Sequence, residues 1–124
     1  KPLDVAWYKF GARPGQIGNA VLAGHVDAAN FGPAVFWELR LVKPGDEVFV
    51  VAEDGLRWRF IVQGVENYHL DKFPGTRVFG QTDQTNLNLI TCIGDFDQAT
   101  ASYNQRLVVY TRWDGIIPQK PKTP

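Results

Sequence analysis

The amino-acid sequence predicts an all-β domain, built as a barrel or a sandwich. Three observations support this fold class: strand-like segments recur at short spacing, no segment of about ten residues or more has helical periodicity, and aromatic and β-branched residues are abundant. The chain has 124 residues, enough for one domain that buries roughly two-thirds of the surface of its unfolded chain. We therefore expect a single compact β domain.

The first predicted strand covers residues 19–24 and is mostly apolar. It ends at Gly24, so His25 lies at the exit of the strand, on the rim of the predicted sheet. Residues 26–33 are rich in Asp, Ala, Asn, Gly and Pro and predict a loop, and residues 34–39 predict one short helical turn. This part of the chain therefore presents a histidine at a strand end.

A β-hairpin is predicted next. Residues 48–52 and 56–62 are strand-like and flank Asp54-Gly55, a dipeptide typical of a type I′ turn. The second of these strands alternates apolar with basic side chains. This alternation is typical of a sheet that has one solvated face.

The remaining strands are separated by one long connection. The hairpin strand continues through residues 65–68 with a predicted bulge at Gly64. Residues 71–84 then predict a loop that is well placed to determine specificity. The last two strands cover residues 86–91, directly before the cysteine, and residues 105–111. Two consecutive strands joined by a loop predict an antiparallel pair.

We expect one domain over residues 1–115, followed by a tail. Residues 116–124 are rich in proline and lysine and offer little to bury, which is typical of a disordered segment. The chain contains no Met, so we expect it to be part of a longer precursor, in which an export signal or a membrane anchor would precede Lys1. No apolar run approaches the roughly 20 residues that a membrane-spanning helix needs.

The composition argues against polyanionic partners and metals. Thirteen basic and thirteen acidic residues give a formal net charge of zero, and neither sign forms a run, so we expect no nucleic-acid contact. One cysteine excludes an internal disulfide, and one cysteine with two histidines is too small a ligand set for a typical zinc site. The acidic residues form no dense cluster of the kind that binds calcium tightly, although a weak site could be assembled in three dimensions from Asp27, Asp46, Glu47, Glu53 and Asp54. We therefore expect no cofactor.

The functional interpretation depends on Cys92. A lone free cysteine is often a buried, inert apolar residue, and that interpretation comes first. Cys92, however, ends a predicted strand and precedes a glycine-containing turn. If the last two strands pair, Cys92 and Arg106 are neighbours at one rim, with facing residues about 4.5–5.5 Å apart.

Arg106 and His25 each have a structural and a catalytic interpretation. Arg106 is either a solvated arginine at a strand end, or a guanidinium that favours a thiolate and donates hydrogen bonds to an oxyanion. His25 either caps a strand or serves as acid and base, because imidazole changes charge near neutral pH. His69 fits an ordinary loop histidine. Cys92, His25 and Arg106 together supply every group that a cysteine acyl transferase requires.

Three segments of the chain resemble the catalytic segments of sortases, the cysteine transpeptidases of Gram-positive cell surfaces. They are residues 22–27, 89–92 and 106–110. Their order and spacing match the family as well, and the resemblance covers most of the chain. The Leu-Ile-Thr-Cys run that ends at Cys92, with Gly94 and Phe96 after it, is most similar to class F sortases.

The resemblance implies a closed eight-stranded sortase-type β-barrel with short helical turns in its connecting loops, and a sortase catalytic domain over residues 1–115. It also implies cleavage of an LPXTG-like sorting signal between Thr and Gly, through a thioacyl enzyme, and transfer of the acyl group to an amine. Cys92 is then the nucleophile, Arg106 stabilises the oxyanion, and His25 protonates the departing amine.

The resemblance extends to substrate contacts, partners and location. The expected substrate-binding residues are Thr91, Asn88, Phe73 and Pro74. Thr91 either hydrogen-bonds the substrate or only fills space in its strand. Asn88 departs from the family motif, which usually has threonine there, and we expect it to adjust the surroundings of the cysteine. The partners implied are the sorting-signal peptide of a secreted surface protein and an amine acceptor such as a cell-wall peptide, with a monomeric enzyme on the outer face of the cell membrane.

Two alternatives stay open at this point. One is a non-catalytic β-barrel binding module in which Cys92 is buried and silent. The other is a different cysteine acyl transferase or peptidase, which would share the thioacyl intermediate but has no reason to place an arginine strand beside the cysteine.

Overall fold

The computed structural model describes residues 4–28, 32–100 and 102–118. Within them it contains eight strands: β1 Val5–Trp7, β2 Gly18–Gly24, β3 Asp27–Ala28, β4 Gly32–Pro33, β5 Glu47–Val51, β6 Leu56–His69, β7 Thr85–Asp97 and β8 Ser102–Pro118. The helices described are short: two 3-10 turns, Trp37–Leu41 and Leu70–Lys72, and one α-helix, α1, Gly75–Phe79. No helix in this part of the chain is long and apolar enough to cross a membrane.

Six of the strands form one sheet in the order β1-β2-β7-β8-β6-β5, and β3 and β4 form a separate two-stranded ribbon. β2 runs parallel to β7, and the other pairs in both sheets are antiparallel. The prediction of a mostly β fold is confirmed. The expected closure of eight strands into one barrel is not seen in the described residues, because β1 and β5 are the edges of the sheet and β3 and β4 pair only with each other.

The sheet curls around one apolar core. Ala20 in β2 and Leu39 in the first 3-10 turn are buried in this core, and Val48 and Val50 of β5 pack against it. β2 and β5 are separated by three strands in the sheet order, so their side chains meet only if the sheet bends. The core is completed by buried residues of the three central strands: Phe60, Val62, Leu87, Leu89, Leu107 and Val109. We call this set the inner core.

The opposite face of β7 and β8 is also covered. Ile90 and Val108 pack with Val21 of β2 and with Val78 of α1, and Tyr110 completes this second cluster. Because successive side chains of a strand point to opposite faces, strands buried on both sides have continuous apolar sequences. This explains the uninterrupted apolar run at residues 107–110, since β8 is covered on both faces.

The predicted hairpin is confirmed, with a different turn. The Gly55 amide donates to the Ala52 carbonyl, and the Ala52 amide donates to the Leu56 carbonyl. These bonds leave a three-residue loop, 53–55, and its last residue, Gly55, has φ +84°. This is the arrangement of a three-residue hairpin that ends in a left-handed glycine, rather than the predicted type I′ turn.

Two further expectations have clear outcomes. The predicted bulge at Gly64 is present, since the β6–β8 register shifts between Val62 and Gly64. The tail was predicted to begin at residue 116, but β8 continues to Pro118, which pairs with Leu56. Residues 119–124 of that tail lie outside the described residues.

Three asparagines form a polar cluster on the face that α1 covers. The Oδ1 atom of Asn19 accepts hydrogen bonds from the Nδ2 groups of Asn86, at 3.0 Å, and Asn88, at 3.3 Å. Asn19 and Asn88 are buried. We call Asn19, Asn86 and Asn88 the asparagine cluster.

The asparagine cluster attaches α1 to the sheet. The Asn19 Nδ2 group donates to the carbonyls of Arg77 and Gly80, at 3.3 and 2.9 Å, and the Asn88 Nδ2 group donates to the carbonyl of Val78 at 3.0 Å. A helix of five residues is far too short to be stable alone. Its position therefore depends on these bonds and on the burial of Val78.

We predict that Asn88→Ala destabilises the protein by about 1–3 kcal/mol, because it leaves the buried Val78 carbonyl without its donor. Asn86→Ala is the matched control: Asn86 is only half-buried and its one recorded side-chain bond is to Asn19. Urea unfolding of both variants measures the difference. Equal free energies of unfolding would contradict the attachment of α1 through Asn88.

Gly24 ends β2 at a point of close contact. A Cβ atom built on Gly24 would lie 2.8 Å from the Phe36 Cδ2 atom and 2.8 Å from the Val35 Cγ1 atom. The segment that precedes the first 3-10 turn is therefore packed directly against the backbone at Gly24. Any side chain there would push this segment and the residue after Gly24, His25, apart.

We predict that Gly24→Ala costs about 1–3 kcal/mol of stability through overpacking. Gly64→Ala provides the control, since a Cβ atom on Gly64 would meet no atom within 4 Å. Thermal or urea unfolding compares them, and a Gly24→Ala variant as stable as Gly64→Ala would show that the contact is not tight.

Candidate active site

Cys92 lies on β7 between two paired strands that supply its neighbours. On one side, β8 pairs antiparallel with β7 and puts Arg106 directly opposite Cys92. On the other side, β2 runs parallel to β7 with Ala23 opposite Ile90. Two residues further along both strands, His25 follows the end of β2 at the level of Cys92. Neighbouring strands are about 4.8 Å apart, so three adjacent strands place these three residues side by side. The prediction that Cys92 ends its strand is wrong, because β7 continues to Asp97.

The backbone at His25 is held from two sides. The Thr91 Oγ1 group donates to the Gly24 carbonyl at 2.8 Å, and the Phe36 amide donates to the His25 carbonyl at 2.9 Å. The imidazole itself is on an exposed residue. The histidine is therefore fixed in the backbone and open to solvent at the side chain.

Cys92 is half-buried and lines a groove of about 300 Å³. The groove is mostly apolar and lies between β7, the end of β2 and the N-terminal strand. Its lining residues are Asp4, Val5, Ala6, Ala23, Gly24, His25 and Cys92. The thiol and the imidazole thus share one cleft.

The Arg106 side chain is oriented by backbone carbonyls. Its Nη1 group donates to the carbonyls of Tyr103 and Gln105, both at 2.9 Å, and the residue is half-buried. By strand alternation Arg106 and Cys92 lie on the same face of the sheet as the neighbouring pair Val108 and Ile90. Register therefore places Arg106 directly across from Cys92 on the same face of the sheet.

Tyr103 connects this arginine to the segment after His25. Its hydroxyl donates to the Asp27 Oδ1 atom at 2.6 Å. The hydrogen bond to Asp27 raises the pKa of Tyr103, and burial and the negative charges of Asp27 and Cys92 raise it further. Sequence reasoning did not find this pair, and no local signal marks it, since its two residues are 76 positions apart.

Two of the predicted substrate-binding residues are used inside the fold instead. Thr91 is 1% exposed and its hydroxyl donates to the Gly24 carbonyl. Asn88 is 2% exposed and belongs to the asparagine cluster. Both side chains are almost fully buried and hydrogen-bonded within the fold, and their contact with a substrate stays a prediction. Both residues hold the elements that flank the cleft.

The other two predicted substrate-binding residues, Phe73 and Pro74, lie in the connection before α1. Phe73 is half-buried, and its ring contacts those of Tyr68 and Phe79, with centroids 6.1 and 6.2 Å apart. Tyr68 faces Arg106 across the β6–β8 pair. Phe73 therefore borders the sheet face that carries Arg106, one strand further from Cys92.

The same face continues from Cys92 toward α1. The Tyr68 and Tyr110 hydroxyls are 2.9 Å apart, and the Arg77 guanidinium lies 4.0 Å from the centre of the Tyr110 ring. Burial and the hydrogen bond to Tyr68 raise the pKa of Tyr110 far above its ordinary value. These polar groups lie on the same face of the sheet as Cys92 and Arg106, separated from them by Ile90 and Val108.

His69 lies apart from the reacting groups. It is the last residue of β6 and pairs with Gln105, so strand alternation directs it to the face opposite that of Arg106. Within residues 4–28, 32–100 and 102–118, no three histidine, cysteine, aspartate or glutamate side chains group as a metal site would require.

Several solved structures share this fold. The SrtA sortase from Actinomyces oris is 22% identical, and the match covers 95% of this chain and 67% of that one with a TM-score of 0.72. Sortase A from Corynebacterium diphtheriae is 21% identical over 94% of this chain and 51% of its own, with a TM-score of 0.71. Sortase C from Streptococcus pneumoniae is 18% identical over 93% and 55%, with a TM-score of 0.73.

These similarities establish the fold, and the chain spans about half to two-thirds of the length of the structures just named. A search of curated protein sequences gives no match. A family model described as a sortase domain, in contrast, matches residues 1–114 of the chain. This match covers the cleft and all three residues that meet there, and the chain therefore belongs to the sortase family.

Proposed function

We propose that this protein is a cysteine transpeptidase of the sortase type. The observation that carries the proposal is the placement of His25, Cys92 and Arg106 side by side across three adjacent strands. A nucleophile, an acid and base, and a cationic donor are the groups that acyl transfer through a thioester requires. Cys92 is also half-buried in an open groove, which argues against the buried, silent cysteine of a binding module.

The first half of the reaction forms the thioester. The Cys92 thiolate attacks the carbonyl carbon of the scissile peptide bond, and the carbonyl oxygen gains negative charge. Arg106 faces Cys92 across the strand pair and donates hydrogen bonds to this oxyanion. As the carbon–nitrogen bond breaks, the protonated His25 imidazole gives its proton to the departing amine. The acyl group is then bound to sulfur.

The second half transfers the acyl group. An incoming amine attacks the thioester carbon, and the neutral imidazole of His25 accepts its proton. The carbon–sulfur bond breaks, which returns the thiolate, and a new amide bond is released. Donation by Arg106 again stabilises the oxyanion. The imidazole suits this alternation because its side chain is exposed to incoming groups while its backbone is fixed.

The substrate that fits this family is an LPXTG-like sorting signal, cleaved between Thr and Gly. The apolar groove of about 300 Å³ beside Cys92 suits short apolar and small side chains, and Phe73 and Pro74 border the adjoining face. The amine acceptor is a cell-wall peptide or a similar group. We assign the protein to class F on its Leu-Ile-Thr-Cys run and place it, as a monomer, on the outer surface of a Gram-positive bacterium, held by an N-terminal anchor.

We predict that incubation with an LPXTG peptide and an amine produces a thioacyl adduct on Cys92 and a ligated product. Mass spectrometry detects both species, and the single cysteine makes the attachment site unambiguous. Cys92→Ala gives neither. If a panel of sorting-signal peptides yields no adduct and Cys92→Ala is indistinguishable from the wild type, the transpeptidase proposal is wrong.

We predict that Arg106→Lys lowers kcat at least tenfold and on the order of 10²-fold if the arginine is the main oxyanion donor. Lysine keeps the charge but loses the planar fork of donors. Arg112→Lys is the matched control, because Arg112 occupies the same face of β8, is exposed, and pairs with Asn86 instead of Cys92. Steady-state transfer rates of the two variants are compared. An unchanged kcat in Arg106→Lys would show that Arg106 contributes only its positive charge.

A further inference from the structure

Tyr103 contacts both segments that flank Cys92. Its hydroxyl donates to the Asp27 carboxylate at 2.6 Å, and its own carbonyl accepts a hydrogen bond from the Arg106 Nη1 group at 2.9 Å. Asp27 follows His25 by two residues. Tyr103 therefore links the segment that contains His25 to the side chain of Arg106.

Strand pairing alone does not fix Tyr103. The β7–β8 ladder is regular through the Cys92–Arg106 and Ile93–Gln105 pairs but shifts before Phe96 pairs with Tyr103. The ring of Tyr103 packs on the edge of Phe96, with centroids 5.2 Å apart at 73°. Beyond the irregularity, the side chain of Tyr103 contacts both Phe96 and Asp27. The carbonyl of the same residue accepts from Arg106 Nη1.

Asp27 belongs to the two-stranded ribbon that begins two residues after His25. It opens the ribbon of two residues per strand and pairs with Pro33. Before it, Val26 is buried and its carbonyl accepts from the Ala34 amide. His25 therefore lies between the anchored end of β2 and Asp27. The bond to Tyr103 ties this segment to β8.

We propose that Asp27 and Tyr103 are positioning residues, whose side-chain hydrogen bond holds Arg106 and His25 in register on either side of Cys92. This inference rests on the proposed function, because it assigns the pair a role in aligning those groups. The bond persists through neutral and mildly alkaline pH, since the raised pKa of Tyr103 keeps its hydroxyl protonated. We call the pair the Asp27–Tyr103 clasp.

The test uses Cys92 as a reporter of the guanidinium beside it. Iodoacetate and iodoacetamide alkylate the same thiolate, but only iodoacetate is anionic, so the ratio of their rate constants measures nearby positive charge. The chain has one cysteine, and mass spectrometry follows each reaction without a substrate peptide. Arg106→Gln defines the ratio in the absence of the guanidinium.

The clasp predicts that Tyr103→Phe lowers this ratio by about fivefold relative to the wild type, toward the Arg106→Gln value, as expected for one charge withdrawn from a partly solvated thiolate. Asp27→Ala lowers it by a similar factor relative to Asp27→Asn, which removes the same carboxylate charge. Asp27→Asn retains an oxygen that accepts the tyrosine hydrogen bond, so its ratio stays at or above that of the wild type. Tyr8→Phe is the control for loss of a tyrosine hydroxyl elsewhere. The double variant Tyr103→Phe/Asp27→Ala loses no more than either single variant, because both remove one contact.

The inference is overturned if Tyr103→Phe keeps the wild-type ratio, if Asp27→Ala and Asp27→Asn give the same ratio, or if the wild-type ratio equals that of Arg106→Gln. Circular dichroism shows whether each variant folds. If Tyr103→Phe does not fold, the comparison of Asp27→Ala with Asp27→Asn alone tests the inference. The peptide-transfer assay is separate. A protein that shows the predicted ratios but transfers no peptide would reject the transpeptidase proposal and leave the clasp intact.

Discussion

The site depends on the register of β7 between two partners of opposite direction. β8 pairs antiparallel with β7, so the start of β8 lies beside the end of β7 and Arg106 faces Cys92. β2 pairs parallel with β7 and ends at Gly24, so His25 emerges at the level of Cys92 while β7 continues to Asp97. Because side chains alternate between faces, a slip of one residue in either pair would move an arginine or a histidine to the wrong side of the sheet. The apolar clusters on both faces of β7 and β8 prevent that slip, since it would exchange the inner core with the cluster under α1.

Several residues that the sequence suggests for substrate binding form hydrogen bonds that hold neighbouring elements in place around this register. Thr91 points away from Cys92 and holds the end of β2 through the Gly24 carbonyl. Asn88 lies on the same face as Cys92 but holds α1 through the Val78 carbonyl. A threonine in place of Asn88 has no amide nitrogen and could not donate both of the hydrogen bonds that the asparagine donates. The asparagine that departs from the family motif is therefore the residue that the asparagine cluster requires. The cleft is therefore shaped by residues that do not line it.

The parts of the fold that could be predicted were those encoded locally. The pairing of Cys92 with Arg106 follows from a strand, a loop and a second strand in succession, and it is confirmed. The exit of a strand at His25 follows from Gly24, and the bulge at Gly64 from a glycine within a strand pattern. The parallel pairing of β2 with β7 joins segments more than 60 residues apart, and hydrophobic pattern carries no information about such partners. For the same reason the Asp27–Tyr103 contact could not be predicted from the sequence. Closure of the barrel was predicted only from the resemblance to sortases, and the described strands do not form a closed barrel.

The most direct test of the account is an experimental structure of the protein with a sorting-signal peptide covalently attached to Cys92. The account predicts that the carbonyl oxygen of the acyl group lies within about 2.7–3.2 Å of an Arg106 nitrogen, as a hydrogen bond requires. It also predicts the His25 ring on the opposite side of the sulfur, with the peptide in the groove that Cys92 lines. A structure in which the Arg106 guanidinium points away from that oxygen, or in which His25 is on the other face of the sheet, would contradict the claim that strand register assembles the reacting groups.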